Sequence, residues 1–227
     1  MADSRHIGKV IKSTRNHYLV QLKNKILTCT IRGRLAGGDA GESFSLKVGD
    51  NVRVSVVAEA EAVIEEVLPR YSKLSRTVEG KAYREHIIAA NVDQMVIIMS
   101  AKSPAFKPGL MDRYLVIAEK NRLKGAVCIN KIDLSRPEEF ADYAKWYPHL
   151  EYDLFFTSAF TGQGIGELKE LLQGKVSVLV GHSGVGKSSL LKKIEPALEL
   201  EVAEISDKTR KGRHTTSHVE LFPLTSG

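Results

Sequence analysis

VSVLVGHSGVGKSSLLKK, residues 176 to 193, passes from a run of aliphatic residues through a glycine-rich turn into residues that favour a helix. Inside it, GHSGVGKS fits the pattern G-x-x-x-x-G-K-[ST] at Gly181, Gly186, Lys187 and Ser188. That pattern needs a strand before it and a helix after it, and the residues on either side supply both. Gly181, Gly184 and Gly186 let backbone N–H groups turn inward on phosphate oxygens where Cβ atoms would obstruct the approach. Lys187 is placed to reach the β- and γ-phosphate oxygens and Ser188 to ligate Mg²⁺, while the start of the helix adds its partial positive charge. Because pattern and setting both match, a merely structural glycine turn is the weaker reading.

A phosphate cradle does not choose a base, so the rest of the chain has to. Guanine needs an acceptor pair for its N1–H and exocyclic amine, and Asn130-Lys131-Ile132-Asp133 supplies one at the end of the aliphatic run GAVCIN. Asp133 would accept from both guanine donors; adenine presents no such edge and would leave the carboxylate unpaired, a cost of about 1–3 kcal/mol. Asn130 would bond the base and brace the loop, and the stem of Lys131 would cover the ring. An N-K-x-D tetrapeptide is common by chance. Its weight here comes from TSAFTGQG, residues 157–164, which also follows a strand-like run and offers Ser158 and Ala159 as backbone amides for the guanine oxygen.

Working outward, strand-like DQMVIIMSA, GAVCIN, YDLFFTSA and KVSVLVG alternate with helix-like stretches GLMDRYLVIAEKNR, RPEEFADYAKWY, GELKELLQG and GKSSLLKKI. Strands buried on both faces and separated by helices predict an α/β domain on a mostly parallel sheet. In the first of these helices, Leu110, Tyr114, Ile117 and Ala118 have the spacing of the inward face. The base loop, second base loop and phosphate cradle each end a predicted parallel strand, where such sheets bind ligands. Their order, base loops before the cradle, is that of a circularly permuted GTPase. The domain is assigned to residues 92–227. Residues 1–70 differ: HYLVQL, KILTCTI, NVRVSVV and AVIEEV are short β-type runs broken by RLAGGDAGES and KVGD, and predict a small all-β, OB-like barrel suited to RNA. A barrel serving only as a spacer or protein contact is the alternative. Residues 71–91 form a basic connector.

Composition sets bounds on these readings. At 227 residues, 43% hydrophobic and 26% charged, the chain suits two modest globular domains, and the net charge of +6, leaning toward the N-terminal part, permits a polyanionic partner. No aliphatic run approaches a bilayer span, and MADSRHIGKV lacks the features of a signal peptide, so a cytoplasmic location is expected. Neither membrane nor DNA is expected as a partner, and a monomer is expected. Cys29 and Cys128, each inside a β-type run, are expected to be buried, reduced thiols.

With these elements in place, the chain resembles the ribosome small subunit-dependent GTPase A (RsgA) family. The resemblance is carried by VLPRYSKLSR, NVDQMVIIMSA, GLMDRYLVIAE, NKIDL, TSAFTGQG, GHSGVGKSSL and KGRHTTSHVELF, spread over nearly the whole chain. It implies a late-stage assembly factor of the small (30S) ribosomal subunit that hydrolyses GTP to GDP when the subunit stimulates it, with the barrel against rRNA. By position, Gly181, His182, Ser183, Gly184, Val185, Gly186, Lys187, Ser188 and Ser189 would hold the phosphates and Mg²⁺, and Asn130, Lys131, Ile132, Asp133, Ser158 and Ala159 the guanine. The segment RKGRHTTSH resembles the first switch, in which either Thr215 or Thr216 would reach Mg²⁺ and the γ-phosphate. Its Arg210, Lys211 and Arg213, with Lys208 just before them, would let rRNA order it; a solvated loop is the alternative.

The sequence ends at PLTSG, before any D-x-x-G motif, and the family's zinc-binding tail would lie beyond it. The expectation is therefore that guanine and diphosphate binding persist in these 227 residues while hydrolysis by them alone does not. An RNA-binding assembly module that holds guanine nucleotide without hydrolysing it is the alternative function. TSHVELFPL, residues 216–224, is expected as an exposed sheet edge. No catalytic residue is assigned: His182 is read as lining the pocket rather than acting as a base, since GTPases position their water more than they deprotonate it.

Overall fold

The computed structural model describes residues 5–14, 17–23, 25–36, 46–78, 84–198 and 220–224. These divide into two units at Val92/Asp93, with Glu220, Leu221 and Phe222 in the first and Pro223 and Leu224 in the second.

In the first unit, β1 (Arg5–Ser13), β2 (Tyr18–Leu22), β3 (Lys25–Ala36), β4 (Asn51–Ala58) and β5 (Glu61–Val67) close a barrel in the order β1-β2-β3-β5-β4. Alternation builds it. In β4, Val52 and Val54 point inward between Asn51, Arg53 and Ser55, and in β5 Ala62 and Ile64 do the same. They meet Val10, Val20, Leu22, Leu27 and Cys29 in one apolar core. Pairing of β3 with β5 is parallel while the others are antiparallel, the mixed closure of an OB-type barrel.

β1 is the strand the sequence concealed. Its Val10 and Ile11 are both buried although they are adjacent, which strict alternation forbids; a register shift between Val10 and Lys12 resolves this by bulging the strand. The carbonyl of Ile11 accepts the amide of Leu221 at 2.8 Å, Glu220 bridges to Lys12, and their side chains form an ion pair at 3.0 Å. In the described part of residues 216–224, therefore, Glu220 and Leu221 are paired with β1 rather than open as an edge.

The expected connector contains a hairpin of its own, β6 (Lys73–Val78) with β7 (Arg84–Ala90). It is tied to the loop before β4. Asn91, buried with φ +51°, donates to the Gly49 carbonyl at 2.9 Å and accepts from the Tyr71 amide at 3.0 Å, while Arg70 forks onto the fully buried carboxylate of Asp50 at 2.6 and 2.8 Å. Two-point contact of this kind fixes orientation as well as charge.

In the second unit, β8 (Gln94–Ser100), β9 (Lys124–Asn130), β10 (Asp153–Phe156) and β11 (Ser177–Val180) make a wholly parallel sheet in the order β10-β9-β8-β11. β8 lies between two neighbours and is buried at every residue, hence its unbroken apolar run. Helix α1 (Pro108–Lys120) packs on β8 and β9. Its buried residues are Met111, Leu115 and Ala118, a face turned about one residue from the expected one; Ile117 is 37% exposed. The apolar spacing of GLMDRYLVIAE fits two overlapping stripes, and packing decides between them.

The expected helix over RPEEFADYAKWY divides into a 3-10 turn, Pro137–Phe140, and α2 (Ala141–Trp146). Phe140 is the pin: it is buried and meets Phe106 and Phe156 with ring centroids 5.3 and 6.1 Å apart. On the opposite face of the sheet from α1, α3 (Ile165–Leu172) and α4 (Lys187–Ile194) contribute Leu168, Leu171, Leu172, Leu190 and Ile194 to a core with Val96, Ile98, Ala126 and Cys128. Both cysteines are free and buried, and burial raises the Cys29 thiol to about 11 and the Cys128 thiol to about 12. Neither forms thiolate near neutral pH, so both serve packing.

Candidate guanine-nucleotide site

The loops that leave β8, β9, β10 and β11 lie side by side at the carboxyl ends of the parallel strands, within the second unit. The loop between β11 and α4 carries the residues expected to form the phosphate cradle. Gly181, at φ +149°, runs so close to β8 that a Cβ would stand 2.2 Å from the Ile98 carbonyl oxygen. Gly186, at φ +98°, caps α4, and a Cβ there would stand 2.3 Å from Nδ2 of Asn130. Glycine at both places is a steric requirement.

Lys187 opens α4, half-buried, and its Nζ donates to the carbonyls of Gly181 at 2.8 Å and His182 at 3.0 Å. Burial holds its pKa below the ordinary lysine value, since the ammonium is partly desolvated and its partners are neutral oxygens. Ser188 is half-buried in the first turn of α4. Ser183 and Ser189 are exposed and Val185 is buried in the core. His182 is exposed and its Nδ1 lies 3.0 Å from the Ser183 carbonyl.

Asn130 ties the three loops together. Its side chain is 1% exposed; Nδ2 donates to the Val185 carbonyl in the cradle at 2.9 Å, and Oδ1 accepts from Thr157 Oγ1 at 3.2 Å and from the Ala159 amide at 3.3 Å. Thr157 is in turn 3.2 Å from Cys128 Sγ. Lys131 follows in the left-handed region, φ +62°, and its Nζ reaches the Gly184 carbonyl at 2.7 Å and the carbonyl of Ser103 in the loop after β8. These bonds join the base loop directly to the phosphate loop. The Ile132 amide then donates to the Thr157 carbonyl at 3.1 Å, which lays the second base loop beside the first.

Asp133 projects from this frame, exposed, with one carboxylate oxygen accepting from Ser158 Oγ. Ser158 itself is fully buried and its hydroxyl also accepts from the Thr161 amide at 3.0 Å. A backbone role for Ser158 is expected from the sequence, but its amide donates to the Gln163 carbonyl at 3.0 Å. Its hydroxyl, orienting Asp133, is what faces the base loop. Thr157 was missed altogether, as was the use of the Gly184 and Val185 carbonyls; only the position of Thr157 beside Ser158 at a strand end hints at its part. Thr215, Thr216, Lys208, Arg210, Lys211 and Arg213 lie outside the described residues. Among the described residues no group of three or more His, Cys, Asp and Glu side chains is placed to hold a metal ion, and no helix is long and apolar enough to cross a membrane.

Comparison with known proteins settles the family. The model of the RsgA GTPase family matches residues 67–227. The chain belongs to the RsgA GTPase family. Among relatives, the small ribosomal subunit biogenesis GTPase RsgA of Caldanaerobacter subterraneus is 36% identical over 220 residues, which are 97% of this chain and 70% of that protein. Its namesake in Bacillus cereus is 40% identical over 223 residues, 97% of this chain and 71% of that one. Two solved structures are also similar. YjeQ from Thermotoga maritima is 36% identical with a TM-score of 0.70, over 86% of this chain and 67% of that one. YloQ, described as a circularly permuted GTPase, is 29% identical with a TM-score of 0.65, over 85% and 66%. The permuted order read from the motifs is thus the order of the RsgA fold, a closed five-stranded barrel followed by a permuted, P-loop-type GTPase domain.

Proposed function

We propose that this chain binds GTP and GDP in the second unit and docks on small-subunit rRNA through the first, so that nucleotide state governs its residence on a maturing small ribosomal subunit. The observation that carries the nucleotide part of this reading is the pair of bonds from Asn130 and Lys131 to the carbonyls of Val185 and Gly184; the subunit part rests on family membership. The two bonds join the loop that bears Asp133 to the glycine-rich loop before α4, which supports one ligand reaching both. In this reading Asp133 takes the guanine edge, Ser158 fixes its carboxylate, and the stem of Lys131 covers the ring. Backbone amides of residues 181–189 and Nζ of Lys187 take the phosphates.

The residues present fit Mg²⁺: Ser188 would hold it, with Thr215 or Thr216 from the switch segment. When bound, the ion would offset charge on the β- and γ-phosphates. Hydrolysis on the subunit would be in-line attack of water on the γ-phosphorus, breaking its bond to the β–γ bridging oxygen so that GDP leaves and the water's protons pass to the released phosphate and solvent; Lys187 would offset charge on the phosphates. The basic residues Lys208, Arg210, Lys211 and Arg213 would couple that state to rRNA.

Sedimentation tests the proposal. The chain should travel with small ribosomal subunits in the presence of a non-hydrolysable GTP analogue, separate from them with GDP, and lose affinity steeply as salt rises. Equal retention with both nucleotides, or none with either, would refute it.

Lys187 gives a pH prediction. Its amine, held below the usual lysine range by burial, loses its proton earlier than an exposed lysine would. GDP affinity should therefore fall as pH rises, beginning below the ordinary value of 10.5, because the neutral amine no longer attracts phosphate. Bound phosphate favours the ammonium, so binding in that window should take up a proton, seen as a dependence of calorimetric heat on buffer ionisation.

A further inference from the structure

Phe160 is 87% exposed, more than any other large hydrophobic side chain among the described residues. It does not sit on a loose loop. The two residues before it are pinned to the base loop, Ser158 through its hydroxyl to Asp133 and Ala159 through its amide to Asn130. The residues after it close a tight turn, in which the amides of Thr161 and Gly162 donate to Ser158 Oγ and to the Ser158 carbonyl at 3.0 and 2.8 Å. Gly164, at φ +67°, passes the Phe156 carbonyl so closely that a Cβ would stand 2.2 Å from its oxygen. A rigid turn thus presents a bare aromatic ring two residues from the side chain that orients Asp133.

At 87% exposure the ring makes little packing contact within the described fold, and an open aromatic face beside a base-reading carboxylate is of the kind on which a base can stack. We infer that Phe160 is a base-stacking residue of the nucleotide site, packing on the purine whose edge Asp133 accepts. This rests on the guanine-nucleotide reading above and deepens it by dividing the work. Asp133 selects guanine by its hydrogen-bonding edge, whereas Phe160 contributes affinity through the π-face, which every purine shares.

The division can be measured on the full chain with GDP and IDP, which lacks the exocyclic amine. Phe160→Ala should weaken both by a similar factor, roughly tenfold for the loss of one aromatic–base stack, leaving the GDP-to-IDP ratio as in the wild type. Phe160→Tyr should restore both. In a Trp146→Phe background, which removes the only native tryptophan, Phe160→Trp should fluoresce and be quenched on adding GDP. Affinities within twofold of wild type in Phe160→Ala, or no quenching, would overturn the inference. So would a variant that binds GDP normally but is lost from small subunits, since Phe160 would then be a docking residue. Wild-type protein that fails to bind GDP would instead refute the underlying reading.

Discussion

Gly186→Ala should abolish guanine-nucleotide binding, with affinity for GDP lowered by roughly a thousandfold or more. Two independent costs combine at this position. At φ +98° an alanine is strained wherever it is placed. Its Cβ would also stand 2.3 Å from Asn130 Nδ2, displacing the amide that bonds the Val185 carbonyl. Asn130 cannot simply swing away, since Oδ1 also holds Thr157 and Ala159. One methyl group therefore disturbs the cradle and both base loops together. Because α4 and the sheet core lie below the site, the variant should stay folded by circular dichroism while titration calorimetry registers no GDP heat. Binding within tenfold of wild type would show that the cradle is not where phosphate sits.

Asp133→Asn should exchange base preference rather than erase binding. The carboxylate offers two acceptors to the guanine N1–H and amine. An asparagine offers one acceptor and one donor, and sets that donor against a guanine donor. Where a site is built to hydrogen-bond a substrate group, a mismatch of this kind costs about 10⁴-fold or more; exposure of Asp133 moderates that to roughly a hundred- to a thousandfold loss for GDP. Xanthosine diphosphate carries a carbonyl where guanine carries its amine and should become the tighter ligand. Ser158, fully buried beside this side chain, can still donate to the amide oxygen, so the asparagine keeps its orientation. Equal weakening of GDP and xanthosine diphosphate would mean that Asp133 supports the loop without reading the base.

What could be read from the sequence follows the physics of each element. The second unit was legible because strands buried on both faces, such as β8, leave unbroken aliphatic runs, and because the cradle's glycines, Lys187 and Ser188 are fixed by sterics and charge. β1 was not, because its bulge at Ile11 breaks the alternation by which half-buried strands are recognised. The inward face of α1 was missed by one residue, since apolar side chains of GLMDRYLVIAE fit two neighbouring stripes and only packing on β8 and β9 selects Met111, Leu115 and Ala118. At the site, the residue types were readable but their division of labour was not. That Ser158 works through its hydroxyl follows from Gln163 taking its amide, and that Asn130 reaches past the end of β8 to Val185 is visible only in the folded sheet. Such contacts are set by tertiary geometry and leave no periodic trace.

The most direct trial of the account is to titrate the wild-type chain with GDP, ADP and guanosine. If one nucleotide is gripped at its base by Asp133 and at its phosphates by the Lys187 loop, GDP should bind one to one, with ADP and guanosine each at least about a hundredfold weaker. ADP as tight as GDP, or guanosine as tight as GDP, would contradict it, since one of the two loops would then have no part in holding the ligand.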